Sequence, residues 1–288
     1  MAVGKEIRTK IKSVQNTQKI TRAMQMVATS KMRKTQDRMR AARPYAEKVR
    51  QVMAHLAQTN PDANNPLLAK RSSVKRAGVI LITSDKGLAG GLNANLLRRF
   101  CQRVDELMGQ GVQVDVCALG QKGLAAAQRL KLNVVASATQ LGDTPQMDKV
   151  IGPISVMINA YAEGTIDELH IVYTRFVNTM KQEPTLEQLL PLSTKHMAVE
   201  HSHPWDYLFE PDVKSVLDFL VRRYLESVIY QGVAENMASE QAARMVAMKA
   251  ATDNAANLIE SLKLTYNKAR QAAITTELSE IVAGAAAV

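Results

Sequence analysis

The turn Ser84-Asp-Lys-Gly-Leu-Ala-Gly-Gly-Leu-Asn93 stands between an apolar run and a helical pattern. Glycine-rich turns at that place can lay backbone N–H groups against a phosphate. Its spacing fits neither GxxxxGK followed by Ser or Thr nor GxGxxG, so it reads as a tight strand-to-helix connection that offers its backbone to a protein partner. His196, His201 and His203 come next, because a His-x-His pair can begin a metal site. They lie among Ser, Pro and acidic neighbours without a further ligand set, and solvated loop histidines are the simpler assignment. The two cysteines, Cys101 and Cys117, lack CxxC spacing and read as reduced thiols acting as small buried hydrophobes. No Ser/His/Asp, Cys/His or paired-carboxylate grouping stands out locally. The expectation is therefore no catalytic residue, no metal and no cofactor, although distant residues can still converge in a fold.

The turn belongs to a middle segment, roughly 75–205, with alternating grammar. Ala77–Thr83, Val112–Ala118, Leu132–Val135, Leu169–Thr174 and Thr185–Leu192 are strand candidates, with helical patterns over 92–108, 121–130 and 147–162. Such alternation predicts a small, largely parallel, Rossmann-like α/β domain.

The flanks differ. No glycine occurs between Gly4 and Gly78, and apolar residues recur at steps of three and four from Val3 to Leu56. This predicts one amphipathic helix over about 4–57, ~80 Å long if continuous, with Pro44 a possible kink. From Val213 to Val288 there is no proline, and the same spacing predicts a second helix of ~110 Å. Two such helices at opposite ends of one chain suggest an antiparallel coiled coil with the α/β domain inserted. The seam looks imperfect: Gln15–Lys19 is polar and much of the C-terminal stripe is alanine. The expected division is 1–58, N-terminal coiled-coil helix; 75–205, central α/β domain; 212–288, C-terminal coiled-coil helix.

Charge is unevenly placed. Residues 1–57 carry fourteen Lys and Arg against three acids, a net +11, while the whole chain is +10. A basic arm of this kind is attracted to nucleic acid, an anionic membrane or an acidic protein surface. No apolar run approaches the ~18–20 residues of a membrane span, and the charged beginning MAVGKEIRTK does not read as a signal or transit peptide.

The sharpest motif is at the end: Ile274-Thr-Thr-Glu277-Leu-Ser-Glu280-Ile-Val-Ala-Gly284-Ala. It resembles the C-terminal signature of the gamma subunits of F-type ATP synthases. The resemblance continues through Gln231–Asn254, Ile7–Met26, Ser30-Lys-Met32, Gly90-Gly-Leu-Asn93 and Trp205–Pro211, in family order over essentially the whole chain. It implies a bacterial, non-catalytic rotor shaft that couples ion-driven turning of a membrane c-ring to the cycling of catalytic beta subunits. The implied partners are a ring of three alpha and three beta subunits, the epsilon subunit and the c-ring. The implied place is peripheral, on the cytoplasmic face of the inner membrane, with no membrane insertion and no nucleic acid. By the same resemblance Arg270, Gln271 and Thr275 contact a beta subunit, as do Met24 and Arg244, while Tyr207 and Glu210 lie near the c-ring and epsilon. Two rivals stand beside it. A coiled-coil nucleic-acid binder predicts salt-dependent duplex binding, and a nucleotide-binding enzyme predicts nucleotide affinity without partners.

Overall fold

The computed structural model describes residues 2–59, 67, 71, 73–142, 147–192 and 213–286. His196, His201, His203, Tyr207 and Glu210 lie outside the described residues. In chain order the elements are α1 (Ala2–Thr59), β1 (Arg76–Ile82), α2 (Leu92–Gly109), β2 (Gln113–Leu119), α3 (Gln121–Arg129), β3 (Asn133–Ala138), α4 (Met147–Ala162), β4 (Glu168–Phe176), β5 (Gln182–Leu190) and α5 (Val213–Ala286). They form two compact units: Ser30–Ala243, and Met1–Thr29 with Arg244–Val288.

In the first unit five strands make one sheet in the order β3-β2-β1-β4-β5. β1 pairs in parallel with β2 and β4, β2 in parallel with β3, and β5 closes the edge antiparallel to β4. The central strands are apolar on both faces because both faces are covered, as parallel sheets require. Leu96, Phe100 and Val104 of α2 cover Val79, Leu81, Val116 and Val172 on one side. On the other, Ile154, Met157 and Tyr161 of α4 and Leu225, Ile229 and Val233 of α5 cover Ile80, Ile82, Ile171 and Tyr173. Cys117 is fully buried in this second layer, and burial pushes its thiol up to about 12, so it behaves as a hydrophobe. β3 is longer than the pattern predicts. As the outer strand its side chains alternate between exposed and half-buried, and Ala136, Ser137 and Ala138 carry little strand signal.

The second unit is a helix pair. On α1 the buried or half-buried positions Ile7, Ile11, Val14, Gln18, Thr21, Gln25 and Ala28 recur in alternating steps of four and three. On α5 the same alternation runs through Met248, Thr252, Ala255, Ile259, Leu262, Tyr266, Ala269 and Ala273. That is the 3.5-residue period of a left-handed coiled coil. The Thr21 and Thr252 hydroxyls meet at 2.8 Å and set the register. Run antiparallel from that bond, Val14 falls opposite Ile259 and Ile7 opposite Tyr266. The seam that looked broken is thus regular in period. Polar Gln18, Thr21 and Gln25 occupy core positions where an apolar count passes over them. The helix assignment runs through Pro44, whose ring leaves the carbonyl of Arg40 without its usual donor.

Candidate functional site

The turn after β1 is closed by its own side chains. The Asp85 carboxylate accepts from the backbone N–H of Gln121 at 3.0 Å, Gln140 at 3.1 Å and Leu141 at 2.9 Å. Gln121 opens α3, so Asp85 holds the place at that helix N-terminus where a phosphate would sit. Asn93 donates to the Ser84 hydroxyl at 2.7 Å, and that hydroxyl donates to the carbonyl of Lys86 at 2.6 Å. Leu88 projects outward from this frame with a positive φ of 63°. The turn therefore has an internal carboxylate where a nucleotide loop keeps free N–H groups.

At the opposite end of the central strands a cleft of about 690 Å³ is lined by Arg71, Lys75, Arg76 and Asp167 among others. The Asp167 carboxylate accepts from the backbone N–H of Lys75 and Arg76, at 2.8 and 3.1 Å. Arg71 donates to the carbonyl of Tyr161 at 3.1 Å and lies over its ring. These bonds join the segment before β1 to α4.

In an open α/β sheet of this order, ligands bind beyond the strand ends where the chain switches direction, here between β1 and β4. β1 parts from β4 after the Leu81–Val172 pair, and the Thr83 N–H turns to the carbonyl of Leu119 on β2 at 2.8 Å. The crevice so opened is occupied by α5. Asn236 accepts from the Thr174 N–H at 3.4 Å, and the Ser239 hydroxyl donates to the Thr174 carbonyl at 3.1 Å. One turn back, a Cβ on Gly232 would stand 3.1 Å from Ile171 and 3.4 Å from Ile82, so glycine lets the helix axis come close. Asn236 is 2% and Ser239 0% exposed. Sequence reasoning missed this set. The signal was the stripe Gly232, Asn236, Ser239 at steps of four and three, where small and polar residues interrupt an apolar helix face.

The expected contact residues fall into two levels of the helix pair. Met24 is half-buried on α1, and the coil register places it opposite residue 249, near half-buried Arg244. Arg270, Gln271 and Thr275 are exposed and lie farther along α5, from residue 249 to residue 270 about 30 Å at 1.5 Å per residue. Thr275 donates its hydroxyl proton to the carbonyl of Gln271 at 2.9 Å, leaving its lone pairs outward. Beyond Ala273 α1 supplies no partner, since Ala269 already falls opposite Gly4. Accordingly 274–283 are all exposed, Ile281 and Val282 at 67% each. On the basic arm Arg8, Lys12, Lys19 and Arg22 are exposed and make no ion pair among the described residues, whereas Lys10 meets Glu6 at 2.8 Å. No helix of the described residues is long and apolar enough to cross a membrane.

A family model described as ATP synthase matches residues 4–288. The ATP synthase gamma chain of Chromobacterium violaceum is 74% identical over 288 residues, covering all of both chains. That of Laribacter hongkongensis is 72% identical, again over the full length of both. Among solved structures, a chain of the Euglena gracilis mitochondrial ATP synthase rotor superposes with a TM-score of 0.65 at 21% identity, covering 95% of this chain and 99% of that one. At that identity the likeness is one of fold.

Proposed function

This chain belongs to the ATP synthase gamma chains, and we propose that it is the non-catalytic central shaft of its complex. It couples ion-driven turning of a c-ring to the conformational cycle of beta subunits in a ring of three alpha and three beta. The observation that carries this is the bare end of α5, where Ile274, Leu278, Ile281 and Val282 stand in solvent. An apolar helix end with no partner among the described residues suits a protein collar that encloses it. Its small residues, Ala283 and Ala285 among them, keep the tip slim enough to turn there.

Arg270, Gln271 and Thr275 form the upper contact with a beta subunit, and Met24 and Arg244 the lower one. The unpaired cations of α1 face acidic loops of the stator. Each exposed pair contributes only ~0–1 kcal/mol, which suits a shaft that must leave every contact in turn. Segment 75–205 is the foot, and Tyr207 and Glu210 carry its contact with the c-ring and epsilon. Segments 1–58 and 212–288 are the arms. The chain is held at the cytoplasmic face of the inner membrane by these partners and does not enter the bilayer.

The test is reconstitution with alpha and beta subunits and the membrane sector. Met24→Lys places a charge at a half-buried position beside the seam and is expected to leave ATP hydrolysis while lowering ion pumping per ATP. Removal of residues from Gln271 onward is expected to lower both. Unchanged rates and coupling in both variants would remove the contact assignments.

A further inference from the structure

Apolar burial is non-directional, so it presses a helix onto a sheet more than it selects one orientation of the helix there. Hydrogen bonds are directional and do fix it. Two contacts of α5 with β4 are of this second kind and end on the same residue: Asn236 on the Thr174 N–H and Ser239 on the Thr174 carbonyl. Thr174 lies past the last β1–β4 pair, Leu81–Val172, so on that side no strand is available to it. Opposite it on β5 stands Pro184, in a pair whose backbone groups face away from each other. The two side chains of α5 therefore do for β4 what a neighbouring strand would do. Gly232 lets the helix approach closely enough for both to reach.

We infer that Asn236 and Ser239 are the key by which the foot turns the shaft: positioning residues that lock α5 against rotation and sliding on β4 at the switch-point crevice that α5 fills. This deepens the shaft reading and rests on it. A helix keyed to a backbone turns with the sheet.

The experiment uses the full complex carrying Asn236→Leu with Ser239→Ala, and Asn236→Leu alone as the second variant should the pair fail to assemble. Three quantities are read on assembled complexes: ATP hydrolysis, ions pumped per ATP against an opposing gradient, and amide exchange at Thr174. Losing both bonds is expected to speed Thr174 exchange roughly tenfold and to cut pumping per ATP by about half. Hydrolysis stays as it was. Asn236→Asp keeps the accepting oxygen and is expected to restore pumping over Asn236→Leu. Faster exchange with unchanged pumping per ATP would make the pair structural only and overturn the inference, as would unchanged exchange. A parent complex that assembles and hydrolyses ATP but pumps nothing would instead sink the shaft reading itself.

Discussion

Gly120 has a φ of 108°, and a Cβ there would stand 2.3 Å from the Thr83 carbonyl oxygen. Gly120→Ala therefore meets both strain and overlap and is expected to cost about 2–3 kcal/mol of stability, read by urea denaturation. A cost near zero would mean that the β2–α3 junction relaxes freely. His170 makes a second prediction. It is 3% exposed, its Nε2 faces Glu168 at 3.0 Å and Arg103 at 3.4 Å, and burial chiefly holds its pKa below the ordinary 6.5. The neutral ring's contribution is thus complete above that value. It drains as pH falls below it, because the unfolded chain takes the proton first. Melting temperature is expected to drop between roughly pH 7 and pH 5, and less steeply in His170→Gln; equal slopes would exclude His170 as the cause. The need for glycine after β2 follows from the strand-to-helix step in the sequence. The His170 cluster does not, because Arg103 reaches it from another element 67 residues away.

The elements were easier to read than their contacts. Long continuous apolar runs located β1, β2 and β4 to within a residue or two, since strands buried on both faces need no alternation. Apolar spacing, with no glycine through the first and no proline through the second, located both long helices. The coil seam was hidden because Gln18, Thr21, Gln25 and Ala255 hold its core positions, and only a partner helix shows that they are inside. The hydroxyl that accepts across the seam keeps its proton for its own helix, either Thr21 for the Gln18 carbonyl at 3.1 Å or Thr252 for that of Met248 at 2.8 Å. Either Thr21→Val or Thr252→Val alone is therefore expected to destabilise the pair by about 0.5–1.5 kcal/mol, while the double change is nearly neutral. A double-mutant cycle reads this directly, and simple additivity of the two losses would contradict the shared bond.

Taken whole, the chain's functional surfaces are places where its own fold stops short. α5 continues past the last residue that α1 can cover, and its exposed apolar tip asks for a collar. β1 stops short of Thr174, and α5 fills the space where relatives of the sheet architecture keep a ligand. The resemblance in sequence named the family from motifs spread along the chain. It did not reveal the filled crevice, since a polar stripe within a helix has no meaning until β4 is laid against it. The most direct measurement is rotation: a probe fixed to the foot of this chain, assembled with alpha and beta subunits held on a surface and supplied with ATP. One-way turning of the probe, lost when residues from Gln271 onward are removed, is the predicted result. A chain that stays outside the alpha–beta ring, or a probe that stands still while ATP is hydrolysed, would contradict it.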